Sequence, residues 1–475
     1  MPERGNHKTA NPPHRNDLDS PETVNLTDPR TLVCKFGGTS LADASRIARA
    51  AGIVARMAGP PEAGRVPVVV VSAMAGVTRE LLALLSEGGA APPALPRTLL
   101  ARHREAARAL GAEEEIEALL DALPDRFAAA PSEAALRDAV AATGEDLSAL
   151  LMTAALRAEG IAAHALDARA VIRTDGAFGR AIPDDETTVA LVAERMAPLI
   201  GEGTAPVLQG FIGADAHGRT TTLGRGGSDF TAAIVGAALG AREVTIFTDV
   251  DGIFSADPGE VPGARILPEL GYEEAVELAW FGARVVHPAA AKHAAARKVA
   301  LRIRNTFHPD GAGTLIRPDR RETPGVAALA HRTGSVLVRV RSRPLFMAHG
   351  FLGRVFGILA RHGIAVDLVA TSHTSTAFTL ERPEGFEAAR AELEAVAEVE
   401  VIEGLATVSA VGRGLLTQPG AAAELFRLLA ETPVHLVSQA SDTSLSFLVE
   451  EGSAGALVRR LHEGLLEHPR QEAAS

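Results

Sequence analysis

The chain has 475 residues, more than one hydrophobic core fills, and at about 150 residues per domain it should divide into about three. With 47% hydrophobic and 22% charged residues it has the make-up of a folded chain, and its net charge of −12 argues against a nucleic-acid surface and for a small ligand. One cysteine, Cys34, excludes an internal disulfide framework or a thiolate metal cluster, and makes a reducing, cytoplasmic setting the default expectation.

Residues 1–30 are rich in Pro, Asn and Asp, hold almost no aliphatic side chain, and are expected to form a disordered tail. They contain no apolar stretch of the secretory kind. No uncharged apolar run reaches the roughly 20 residues that a bilayer span requires, so no membrane insertion is expected.

From Thr31 the texture changes. TLVCKF (31–36) and VPVVVVSAM (66–74) are continuous runs rich in β-branched residues, as expected of strands buried on both faces of a parallel sheet, and the intervening ADASRIARAAGIVARM has helical spacing. Residues 98–160 read as helices. Strand-like runs return at APVLQGFIG (205–213) and EVTIFTDV (243–250), with the apolar helix DFTAAIVGAALG between them. The expected fold is α/β, a doubly wound, mostly parallel sheet sandwiched by helices over 31–318. After the turn-rich HPDGAGTLIRPDRRETPG the order strand–helix–strand–strand occurs twice. It predicts two α+β modules within 319–475, the first about 340–399 and the second about 400–470, with a strand from 327–342.

Four stretches can carry chemistry. KFGGTS (35–40) lies where a buried strand gives way to a helix; free backbone N–H groups there attract anions, Gly37 and Gly38 allow close approach, and Lys35 adds a cation. Lys35 is one of only four lysines against 43 arginines. The second stretch, TTTLGRGGSD (220–229), packs three glycines and Arg225 before a helix. Arg225 offers a bidentate fork for a carboxylate, while Ser228 or Asp229 can cap the helix. VVSAMAGVT (70–78) and TDVDGI (248–253) leave strand ends, where ligands bind in open parallel sheets, although each alone also reads as a plain turn. Glu145 could pair a ligand ammonium, but a solvated helix face is the commoner explanation. Arg284 and His287 are ambiguous, His287 being better read as structural. No H-E-x-x-H, C-x-x-C, G-x-S-x-G or G-x-x-x-x-G-K-[ST] motif is present.

KFGGTS, VVVVSAMAGVT, RTTTLGRGGSDFTAA, FTDVDGIFSADP and GARVVHP, in this order and followed by paired small modules, closely resemble aspartate kinase of the amino-acid kinase superfamily, from Val33 to about Leu466. The likeness is greatest to the monofunctional form with a tandem of ACT modules, of the kind inhibited by lysine. The resemblance implies an amino-acid kinase fold followed by two ACT-type modules, with ATP and Mg2+ at the catalytic site. Lys35, Gly37, Gly38 and Ser40 would meet the ATP phosphates, bridged by Mg2+; Thr248, Asp249, Phe254 and Arg284 would border the nucleotide. Ser72, Ala73, Thr78 and Ser228 would face aspartate, with Glu145 on its ammonium and Arg225 on its α-carboxylate. Asp229 would hold Lys35 in place. Asp367, Ser372 and His373 would bind an amino-acid effector, and the ACT modules would join two chains into a homodimer.

Three positions depart from the family pattern. Arg284 stands for a usual Lys, Gly259 for a common Arg after Asp-Pro, and His373 for a frequent Glu after Thr371-Ser372. The last predicts weak affinity for lysine. The rival readings are another amino-acid kinase, acting on glutamate or acetylglutamate, and a catalytically weakened amino-acid sensor.

Overall fold

The computed structural model describes residues 31–60, 63–85, 94–281, 286–318, 325–342, 349–381, 385–415, 417 and 421–467. The expected tail, residues 1–30, lies outside them.

The first part runs β1 (Thr31–Phe36), α1 (Ala44–Ala58), β2 (Val66–Val71), α2 (Val77–Ala83), α3 (Arg97–Leu110), α4 (Glu113–Ala128), α5 (Glu133–Ala158), β3 (Ala163–Leu166), α6 (Asp185–Arg195), α7 (Ala197–Gly201), β4 (Ala205–Gln209), β5 (Ile212–Ala214), β6 (Thr220–Thr222), α8 (Gly227–Ala238), β7 (Glu243–Thr248), β8 (Glu269–Leu270), α9 (Tyr272–Phe281), α10 (Pro288–Arg297), β9 (Ala300–Asn305) and β10 (Thr314–Ile316). Eight of its strands form one sheet in the order β3-β4-β2-β1-β7-β9-β10-β8. All pairings are parallel except β9 with β10. The β-branched runs of β1 and β2 sit at its centre because both faces are covered; Val68 to Val71 are all 0% exposed. Two apolar clusters, one on each face, clamp the sheet, and Phe36 stacks on Phe247 at 4.8 Å where β1 and β7 end side by side. The chain order reverses about β1, with β2 on one side and β7 on the other, and the crevice outside such strand ends is where ligands bind.

Helix α5 is long and apolar enough to cross a membrane by length and composition, yet it is packed inside the molecule. It carries Arg137, Asp138, Glu145 and Asp146, and Asp146 is neutralised by Arg126 at 2.6 Å and Arg169 at 2.9 Å.

The second part comprises β11 (Gly325–Ser342), α11 (Phe351–Arg361), β12 (Val369–Thr371), β13 (Ser375–Glu381), α12 (Phe386–Val396), β14 (Ala397–Arg413), α13 (Ala421–Leu429), β15 (Val434–Ser441), β16 (Ser444–Glu450) and α14 (Glu451–His462). These strands form an antiparallel sheet in the order β12-β13-β11-β14-β16-β15. The long central strands β11 and β14 serve both repeats: the far half of β11 pairs with β13, and the far half of β14 pairs with β16. A register shift between Arg332 and Ser335, at Gly334 with φ 74°, marks where one half gives way to the other.

Candidate active site

Lys35 is the penultimate residue of β1 and 8% exposed. Its Nζ lies 2.5 Å from Oδ1 of Asp229, which sits in the first turn of α8 where the helix N-terminus favours an acid. The ion pair fixes a cation at the bottom of the crevice. Beyond it the chain turns through Gly37, whose N–H donates to the Phe247 carbonyl at 3.1 Å and locks the ends of β1 and β7 together.

The opposite wall is the exit from β2. Here α5 backs directly onto Ala73, which is possible only because residue 144 is glycine: a Cβ there would stand 2.6 Å from that of Ala73. The next residue, Glu145, is 3% exposed, which excludes the solvated helix face expected of it. Burial pushes its carboxyl up to about 8, against the opposing pull of the Ala73 backbone N–H, and nearby Asp146 adds to the rise. Its Oε2 is buried with no hydrogen-bond partner. A carboxylate so placed is costly unless a cation meets it.

The third wall is the loop between β6 and α8. Asp138, buried on α5, accepts from Thr222 N–H at 2.7 Å, Thr222 Oγ1 at 3.0 Å and Gly179 N–H at 2.9 Å, pinning the start of that loop. Gly226 then adopts φ 71° against the His287 ring, which a Cβ would meet at 2.2 Å. His287 Nδ1 accepts from Ala289 N–H at 3.3 Å and caps α10, so the structural reading of this residue holds. Burial, reinforced by Arg225 and opposed by Asp229, keeps its imidazole below the ordinary histidine range. Arg225 stands exposed between two cavities. The first, about 410 Å³, gathers Lys35, Gly38, Ser72, Ala73, Thr78, Glu145, Arg225, Ser228 and Asp229. The second, about 790 Å³, runs from Arg225 and His287 to Arg332 on β11.

Several expected residues stand elsewhere. Ser40 is fully buried, and its Oγ lies 2.6 Å from Thr306 Oγ1, so this hydroxyl ties the turn to the end of β9 and does not line the cavity. Thr248, the last residue of β7, and Asp249 bond each other at 3.2 Å, and half-buried Phe254 bridges to Ile266; none of the three lines the 410 Å³ cavity. Arg284 lies outside the described residues. In the second part, the Asp367 carboxylate pairs with Arg332, which also reaches Glu381 at 3.4 Å, so a ligand ammonium would compete there with a guanidinium. Ser372 Oγ is 3.0 Å from Ser375 Oγ, and His373 is exposed. Arg79 and Phe211, which also line the 410 Å³ cavity, and Asp138, which pins its loop, were not singled out in the sequence; an acid inside an apolar helix was the one signal available for Asp138.

A cation rigidly held at glycine-lined strand ends, facing an unpaired buried carboxylate and an arginine fork across one cavity, is what a kinase acting on a free amino acid requires. Comparison with known proteins narrows this class. Residues 30–305 match the amino acid kinase family and residues 408–465 the ACT domain. The chain is 38% identical over 453 residues to lysine-sensitive aspartokinase 3 of Escherichia coli, covering 92% of this chain and 99% of that one. It is 32% identical to an aspartokinase of Thermus thermophilus, over 91% and 98% of the two chains. The crystal structure of E. coli aspartokinase III with aspartate and ADP superposes with a TM-score of 0.77 at 37% identity, covering 91% of this chain and 99% of that one. Its complex with lysine and aspartate gives 0.75 at 36%, covering 92% and 100%. The chain belongs to the aspartokinase family.

Proposed function

We infer that this enzyme transfers the γ-phosphoryl group of ATP to the side-chain carboxylate of L-aspartate, giving 4-phospho-L-aspartate and ADP, the first step of aspartate-family amino-acid biosynthesis. The observation that carries this reading furthest is Glu145, a buried carboxylate with an unpartnered oxygen, lining the same cavity as the Lys35–Asp229 pair. It supplies the counter-charge for an amino acid's ammonium. Arg225 then takes the α-carboxylate, and Ser72, Ala73, Thr78 and Ser228 direct the side-chain carboxylate toward Lys35.

Carboxylate phosphorylation needs no covalent protein intermediate; alignment and neutralisation of the transferring group suffice. Lys35, oriented by Asp229, neutralises phosphoryl oxygens, and Gly37 and Gly38 admit them close to the backbone. Thr248, Asp249 and Phe254, with Arg284, border the nucleotide. Among the described residues no group of three or more His, Cys, Asp or Glu could hold a metal ion. Mg2+ would arrive with the nucleotide, as is usual for this ion, with Lys35 and Gly38 facing the same phosphates. It would spread the phosphate charge.

For residues 319–475 we propose an amino-acid effector site at Asp367, Ser372 and His373 and pairing of two chains into a dimer, in a cytoplasmic enzyme. The E. coli relative has been crystallised with lysine, which supports an amino acid as the effector class. Incubation with ATP, aspartate and hydroxylamine tests the reaction: aspartate hydroxamate formed in step with ADP is expected, and ADP release without hydroxamate would refute acyl-phosphate formation.

A further inference from the structure

The segment that follows β7 belongs to the first part by sequence but is built into the core of the second. Ala256 and Val261, each 3% exposed, share one apolar cluster with Leu329, Ala406, Leu457 and Val458. Between Phe254 and Ala256 sits Ser255, 0% exposed, with its Oγ 2.9 Å from Nε2 of His462 on α14. His462, 1% exposed, has its Nδ1 2.8 Å from Oε1 of Glu467. A carboxylate only accepts, so Nδ1 carries a proton toward Glu467, and Nε2 is left to share a hydrogen bond with the serine hydroxyl. That hydroxyl in turn accepts from Arg265 N–H at 3.0 Å. The backbone of Ser255 is fixed as well: its N–H donates to Arg265 O and its carbonyl accepts from Leu329 N–H of β11, both at 2.8 Å. The Ser–His–Glu order is no nucleophile, because a hydroxyl sealed from solvent cannot reach a substrate. It is a strut. Two of its anchors, His462 and Leu329, stand on the second part, and what it holds is the residue next to Phe254.

We propose that His462 is a positioning residue for the nucleotide half of the reaction, holding Phe254 through Ser255 from a helix of the ACT region. The proposal rests on the reading of Thr248, Asp249 and Phe254 as the nucleotide border. Five single variants of the full chain test it: Phe254→Ala, Ser255→Ala, His462→Ala, His462→Leu, which returns bulk without a polar atom, and His462→Gln, which returns a hydrogen-bonding group near Nε2. Half-saturating ATP and aspartate and the turnover number are measured for each. His462→Ala and Ser255→Ala should raise half-saturating ATP about tenfold, the size of one buried hydrogen bond, with turnover and half-saturating aspartate within about twofold of the parent. His462→Gln should recover most of the loss and His462→Leu should not; equal recovery by both would reduce His462 to packing and refute the hydrogen-bonded strut. If Phe254→Ala raises half-saturating ATP while Ser255→Ala and His462→Ala do not, the strut is refuted and the nucleotide border stands. If Phe254→Ala leaves ATP untouched, the border reading fails and the proposal with it. Should His462→Ala not fold, Ser255→Ala, which removes one atom, decides alone.

Discussion

Glu145 gives the sharpest forecast. In the unliganded site its carboxyl is raised to about 8 because it is buried, yet pairing with an aspartate ammonium requires the ionised form. One pH unit below that value the protonated form outnumbers the carboxylate about ten to one, a cost of about 1.4 kcal/mol to substrate binding. Half-saturating aspartate, measured at saturating ATP by coupled ADP release, should therefore fall about tenfold per unit as pH rises toward 8, and then level off. Glu145→Gln removes the titration and the charge: the slope should vanish and half-saturating aspartate should stay high, on the order of 10²-fold above the plateau, the loss of a charge-assisted contact in a closed site. The unliganded fold behaves in the opposite sense. A carboxyl raised by folding contributes stability that is full below its ordinary range near 4.5 and is lost as pH rises through about 8, so the melting temperature of the parent should decline over that window more than that of Glu145→Gln. A half-saturating aspartate concentration that is flat from pH 6 to 8 in the parent, and unchanged by Glu145→Gln, would refute the ammonium role.

Other residues give further forecasts. Lys35→Met keeps the bulk but removes the charge, so turnover should drop on the order of 10²–10³-fold while both half-saturating concentrations move less; near-normal turnover in steady-state assays would remove Lys35 from the chemistry. Arg225→Ala should raise half-saturating aspartate by the equivalent of roughly 2–5 kcal/mol and ATP far less, and equal effects on both substrates would count against its carboxylate role. With His373 exposed where the family often carries Glu, and Asp367 already paired with Arg332, lysine should inhibit poorly. His373→Glu should lower the lysine concentration that halves activity at fixed aspartate; strong inhibition of the parent, unaffected by the substitution, would show that effector binding lies elsewhere.

The central strands were legible because both their faces are covered, so β1 and β2 read as unbroken apolar runs. Strand β9 was not: ALRIRN alternates buried and half-buried residues, and Arg302 on it is held by Glu243 at 2.8 Å, a pairing invisible in the local pattern. The short strands β3, β5, β6, β8 and β10 are too brief to show a period. The solvated-face reading of Glu145 failed for a related reason. Helix α5 is buried nearly all round, so the rule that charged residues mark a solvated face fails on it. The glycine loops could be read as anion-binding from composition and position, but not the direction of each hydroxyl within them. Ser40 is turned to Thr306, 266 residues away, a contact no local motif encodes. Arg225, set between Gly224 and Gly226, and Lys35, one of four lysines and placed just before Gly37 and Gly38, stood out by contrast, and the structure gathers both on one cavity.

The central claim is the identity of the phosphoryl acceptor, and ADP release with aspartate, glutamate and N-acetylglutamate in parallel tests it directly. Aspartate should exceed glutamate in kcat/KM by roughly 10- to 200-fold, the discrimination available from one methylene. N-acetylglutamate, which lacks an ammonium to meet Glu145, should give no release above the ATP-only background. Release with glutamate or N-acetylglutamate equal to or above that with aspartate would contradict the account.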